Sequence, residues 1–173
     1  MKKIFGIGLS RTGTTSLSNA LKQVGIDIIH YPTKSKLYDK NSRGACDIPV
    51  AAQYKDLDKK FANSKFVYTV RNKEDWLNSI EKYLERKKNA TLGEWQRENR
   101  IKIYGQVEFD RKIFSEKYDE HDESIRQYFK ERKNDLLILN ICDGDEWMKL
   151  ATFLDIDNDS ISKFPHSNKR KKA

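Results

Sequence analysis

The strongest constraint on this chain is the stretch from Lys3 to Val24. Lys3 to Gly8 is short, apolar and β-prone. Ser10 to Gly13 is a polar turn containing a glycine. From Thr14 onward Leu17, Ala20, Leu21 and Val24 recur at three- and four-residue steps. The spacing predicts a strand, a tight loop and a helix. The first N–H groups of a helix have no internal partner, and the helix dipole adds partial positive charge at that end. A loop delivering the chain into such an end is an anion-binding device, phosphate above all. Gly8 and Gly13 allow the backbone to curl around the anion.

The spacing Gly8-x-x-x-x-Gly13-x-Thr15 is that of a Walker A loop. Thr14 stands where a nucleotidase carries lysine, and the positive charge sits at Arg11 inside the loop. That argues against simple ATP or GTP hydrolysis. A kinase or nucleotidase with a degenerate loop remains one alternative. A non-catalytic nucleotide-binding module is another. Lys and Arg number 34 against 26 Asp and Glu, a net charge of +8. Such a surplus favours anionic partners, although it also serves solubility. No nucleic-acid recognition motif accompanies it, so no nucleic-acid partner is expected.

A length of 173 residues predicts a single domain over 1–168, followed by a basic tail at 169–173. Cys46 and Cys142 fit no metal or redox spacing, no metal site is expected, and no segment approaches a membrane span. A cytoplasmic protein is the expectation. The first helix should end near Gly25 and a second strand run from Ile26 to His30. Tyr31 to Arg43 is aperiodic and predicts a loop. Asp47-Ile48-Pro49 predicts a helix start, running to about Phe61. Lys65 to Val70 is the best strand, and Asn72 to Lys88 an amphipathic helix. Thr91-x-x-Glu94 has the form of a capping box for a helix ending at Gly105. Residues 106–133 predict one or two helices, with His121 solvated. Asp135 to Ile141 predicts a strand, and a helix bearing Trp147, Leu150, Ala151 and Leu154 follows. Strands alternating with helices give a three-layer α/β/α fold with a mostly parallel sheet and the phosphate loop after its first strand.

Arg71 follows the best strand directly, and Ser79 lies two turns into the next helix. Arg offers a planar fork for phosphate and Ser a hydroxyl donor. The alternative for Arg71 is a surface ion pair with Glu74 or Asp75. Arg11-Thr-Gly-Thr-Thr-Ser-Leu after a short strand, together with Arg71 to Ser79, resembles the sulfotransferases that use 3′-phosphoadenosine 5′-phosphosulfate (PAPS). Lys73 stands where that family often has proline. Asp47-Ile-Pro-Val, Lys65 to Asn72, Leu136 to Trp147 and Phe164-Pro-His-Ser-Asn resemble its microbial branch, so the likeness spans essentially the whole chain.

The resemblance implies a PAPS-dependent sulfotransferase needing no metal, with PAP as product. It implies that Ser10, Arg11, Thr12, Gly13, Thr14, Thr15 and Ser16 bind the 5′-phosphosulfate. Arg71 and Ser79 would bind the 3′-phosphate, with Lys169 and Arg170 of the tail near the nucleotide. Arg11 would stabilise the leaving group. Asp47 and His30 are the candidates for the general base. Asp47 competes with a helix-cap role, and His30 with that of a structural histidine. Trp95, Tyr104 and Phe109 either border an acceptor pocket or belong to the core. The acceptor is open: a glycan, a small molecule, a lipid or a protein side chain. The oligomeric state is not legible.

Overall fold

The computed structural model describes residues 2–144, 147–156, 163–165 and 167. Five strands form one parallel sheet: β1 (Ile4–Gly6), β2 (Ile29–His30), β3 (Gly44–Cys46), β4 (Lys65–Thr69) and β5 (Leu136–Leu139). Their order is β2-β3-β1-β4-β5. The chain therefore leaves β1 at the centre and builds outward in both directions. Crevices form at such a reversal, outside the carboxyl ends of the strands.

Period-two alternation assigns the two faces. Ile4, Val67 and Leu139 pack under α1 (Thr14–Gln23) and α8 (Trp147–Leu154). Phe5, Phe66 and Tyr68 face the other side, under α4 (Tyr54–Lys60) and α7 (Arg111–Tyr128). Both faces of the sheet are covered, as a parallel sheet requires. A third cluster lies beyond the carboxyl edge. There α3 (Ile48–Ala51), α5 (Lys73–Arg86) and α6 (Glu94–Tyr104) close over Leu9 around Trp76, Tyr104 and Phe114. This cluster supports the loop after β1, and the Trp76 indole donates to the Ser10 carbonyl at 3.0 Å. Among the described residues no helix is long and apolar enough to cross a membrane.

Several local expectations change. The stretch after Tyr31 holds a short helix, α2 (Lys34–Leu37). The strand β3 follows it and pairs with both β1 and β2. It carries no branched or aromatic residue, so nothing local marks it as a strand. The helix opened by Asp47 is two helices with a break at Ala52 and Gln53. Gly93 rather than Thr91 precedes α6, with the Gln96 amide oxygen accepting from its N–H at 3.1 Å. The charged region after Gly105 holds one long helix, α7. His121 on it is buried, not solvated, and its Nε2 lies 3.0 Å from the Ile7 carbonyl. Tyr104 and Phe109 belong to the core around Trp76. The Trp95 indole is tied to the Pro32 carbonyl at 2.9 Å.

Candidate active site

The carboxyl edge of the sheet opens into a cavity of about 650 Å³. All five strands feed it. The loop after β1 supplies Ser10, Arg11 and Gly13, and β2 ends in His30. Asp47 follows β3, Arg71 follows β4, and Ile141 and Cys142 follow β5.

Close packing shapes the loop. A Cβ on Gly8 would lie 1.9 Å from Thr69 Oγ1 and 2.6 Å from the Thr69 carbonyl, so only glycine lets the loop pass β4. Gly13 caps α1 at φ 107 with no side-chain cap, which leaves the first N–H groups of α1 available to a ligand. Thr15 and Ser16 line the cavity on that first turn. Ser16 Oγ also accepts the Ser167 N–H at 2.9 Å, which holds Ser167 at the helix start.

Thr12 departs from its expected role. Its side chain is buried, bonding the Leu9 carbonyl at 2.7 Å and Thr69 Oγ1 at 2.7 Å. Its N–H donates back to the Leu9 carbonyl. Thr12 therefore shapes the loop from beneath and presents neither group to a ligand. Lys169 and Arg170 lie outside the described residues.

Arg11 and Ser79 meet across the cavity, Nε to Oγ at 3.3 Å. The Arg11 guanidinium also sits 5.5 Å from the Tyr83 ring. Burial, then Arg86 and Arg71, push its pKa down. Arg71 Nη1 donates to the Arg11 carbonyl at 3.4 Å, and Arg71 Nε is buried with no hydrogen-bond partner. Neither Glu74 nor Asp75 holds it: Glu74 pairs with Arg111 at 2.7 Å. A buried donor without an acceptor marks a place where a bound group would supply one.

Asp47 is the most heavily bonded group at the site. Its Oδ1 accepts from the Ile48 N–H at 2.7 Å and from the Ser10 hydroxyl. Its Oδ2 accepts from Thr14 Oγ1 at 2.5 Å and meets His30 Nε2 at 3.2 Å. Burial alone would push this carboxyl up. Hydrogen bonds from His30, Ser10 and Thr14 outweigh it and hold the pKa below its ordinary value. Asp47 thus takes the helix-cap role at α3, the alternative to acting as base, and also binds His30. Its oxygens are filled by internal donors and its side chain is 5 % exposed, against 36 % for His30. His30 Nε2 also lies 3.1 Å from Thr15 Oγ1, which ties the histidine to the first turn of α1.

Among the described residues, three of the five non-glycine positions at positive φ, Arg11, Tyr31 and Asp47, line this cavity. Backbone strain of that kind persists where the surroundings over-determine it, as the Asp47 bonds do here. Sequence reading did not single out Tyr31, Lys82, Tyr83 or Arg86, all of which line the cavity. Lys82, Tyr83 and Arg86 carry a detectable signal, because they share the helical face of Ser79. Among the described residues, no group of three or more His, Cys, Asp or Glu side chains gathers as metal ligands would.

The fold agrees with that of a known protein. No curated protein matches the chain in sequence. A sulfotransferase crystal structure from Alicyclobacillus acidocaldarius superposes with a TM-score of 0.60 at 15 % identity, covering 99 % of this chain and 87 % of that one. That likeness shows the fold. The family profile described as a sulfotransferase domain matches residues 3–37 and 33–173, essentially from end to end. The chain belongs to the sulfotransferase domain family.

Proposed function

We propose that this sulfotransferase uses PAPS as donor and transfers its sulfuryl group to a hydroxyl or amine. One observation carries the reading of the donor: two anion-binding groups share one cavity. The first is the uncapped N-terminus of α1 with the loop that precedes it. The second is Arg71, with its orphaned buried Nε, beside Ser79. A nucleotide with anions at both its 5′ and 3′ positions fits this pair of groups.

PAPS, when bound, supplies the activated sulfuryl group. Gly13, Thr14, Thr15 and Ser16 would hold its 5′ end through N–H groups of the first turn, with the Thr15 hydroxyl beside them. Arg11 places positive charge where negative charge grows on the leaving group. Arg71 and Ser79 would hold the 3′-phosphate. Ser10 and Thr12 act from behind, Ser10 by bonding Asp47 and Thr12 by fixing the loop on Thr69.

The geometry favours His30 over Asp47 as the base. The Asp47 carboxylate is buried and saturated, and its low pKa makes it a poor proton acceptor. His30 is accessible from the cavity. Asp47 at Nε2 fixes the imidazole and its tautomer, leaving Nδ1 to take the acceptor's proton. Asp47 is then a positioning residue that also stabilises the imidazolium once formed.

Thermal denaturation with PAP, ADP and ATP–magnesium tests the donor. PAP should raise Tm well above the other two. A shift with ATP–magnesium and none with PAP would favour the kinase or nucleotidase alternative and remove this reading.

A further inference from the structure

The cavity has a wall that neither the donor loop nor α5 supplies. Ser167 lines it, 151 positions along the chain from Ser16. Its place is fixed from two sides. Phe164, just before it, is buried in the core with Leu17 and Leu21, and its ring lies 5.3 Å from that of Trp147. At Ser167 itself the N–H donates to Ser16 Oγ at 2.9 Å, and the hydroxyl oxygen accepts from Asn19 Nδ2 at 2.8 Å.

Those two bonds set what the hydroxyls can offer a ligand. A serine hydroxyl has one hydrogen to give and two lone pairs to accept with. Ser16 Oγ and Ser167 Oγ each accept one internal N–H, and among the described residues neither has an acceptor for its own hydrogen. Ser16 is only 3 % exposed, so an unbonded hydrogen there is costly. Both hydrogens suit a group in the cavity that accepts. The free N–H groups at the start of α1 present the same polarity.

The side of α1 on which this happens decides which part of the donor is met. Thr14 and Thr15 turn their hydroxyls toward Asp47 and His30. Successive residues of a helix lie about 100° apart, and Ser16 turns toward Ser167 instead. In-line transfer puts the sulfuryl group beside the base, on the His30 side of this turn. The 5′-phosphate, which stays with the leaving nucleotide, falls to the Ser16 side.

We infer that Ser167 is a donor-binding residue: its hydroxyl, oriented by Asn19, joins that of Ser16 in holding the 5′-phosphate of the nucleotide and not the transferring sulfuryl group. The inference rests on the PAPS reading of the same cavity. A contact to the 5′-phosphate is made alike before and after transfer, so Ser167 governs donor affinity and leaves the chemical step alone.

Calorimetric titration with PAP and with 3′-AMP, which lacks the 5′-phosphate, tests this. Ser167→Ala keeps the main-chain N–H that bonds Ser16. PAP should bind this variant about ten-fold or more weakly. 3′-AMP should bind it as it binds the wild type, which also shows that the cavity is formed. Asn19→Ala keeps the Ser167 hydroxyl but removes its orienting bond, and should give a smaller loss, again for PAP alone; full PAP affinity there overturns the orienting role. Unchanged PAP affinity in Ser167→Ala overturns the inference and leaves the donor reading standing. Equal losses for PAP and 3′-AMP overturn it too, because Ser167 would then only shape the cavity. A wild-type protein that binds neither nucleotide removes the donor reading, and the inference falls with it.

Discussion

Removing the Arg71 guanidinium isolates the second anion group from the first. The guanidinium makes one long contact inside the protein, Nη1 to the Arg11 carbonyl at 3.4 Å, and its Nε has no partner. Arg71→Ala therefore takes away little that the empty fold uses, and thermal stability should hold. Its effect on a 3′-phosphate is large. One charge-assisted hydrogen bond contributes about 1.5–3 kcal/mol. That corresponds to a loss of about ten- to 150-fold in Kd, with a bidentate fork at the upper end. PAP and AMP differ only in the 3′-phosphate, so calorimetry with both nucleotides separates the contributions. PAP binding should weaken by that factor while AMP binding stays nearly constant. Work at about 0.15 M salt keeps general attraction between the cavity and any nucleotide screened beyond about 8 Å. Equal loss for PAP and AMP would mean that Arg71 supplies only diffuse charge or loop geometry. An unchanged PAP affinity would remove Arg71 from the donor site altogether.

His121, buried and drawn down to about 4 chiefly by desolvation, favours the neutral ring in the folded state. Its contribution is full above the ordinary histidine pKa and is lost as pH falls from about 6.5 toward 4, by about 3 kcal/mol at most. Urea denaturation across that range should show the decline, and His121→Gln should flatten it; an unaltered slope in the variant would refute the assignment. Asp47→Asn should cost about 1–3 kcal/mol of stability at neutral pH, since an amide cannot accept all four hydrogen bonds. Because the folded carboxyl pKa is lowered, the wild type's advantage should shrink as pH falls through that value; a gap that persists in strong acid would show that the charge is not the cause. Gly8→Ala should destabilise by about 1–3 kcal/mol or more and abolish PAP binding, because its Cβ meets the backbone and side chain of Thr69. A variant with wild-type Tm and PAP affinity would show that the loop has room the packing denies.

Most of the scaffold was legible because local pattern and tertiary role coincide there. Ile4–Gly6 and Lys65–Thr69 are largely apolar runs buried on both faces, and Leu136–Leu139 is an apolar run only partly buried at the sheet edge. Thr14–Gln23 and Lys73–Arg86 carry apolar stripes matching the clusters they fill. Other elements had no local signature. Gly44-Ala45-Cys46 is a strand because β1 and β2 lie on either side of it. His121 reads as solvated among charged neighbours, yet it sits on the one face of α7 that meets the sheet.

The sequence by itself determined the strand–loop–helix anion device, its arginine in place of the usual lysine, and the second arginine at a strand end. These depend on neighbours in the chain, where spacing and residue type carry the physics. Tertiary structure decided which of those residues face the cavity. It turned Thr12 inward onto Thr69 and joined His30 to Asp47, two residues that sequence could treat only as rivals. It also brought Lys82, Tyr83 and Arg86 of α5 to the cavity that the loop after β1 lines. Each of these is a contact between segments far apart in the chain. Such contacts follow from how β1, β2, β3 and β4 align their carboxyl ends, and no local pattern records that alignment.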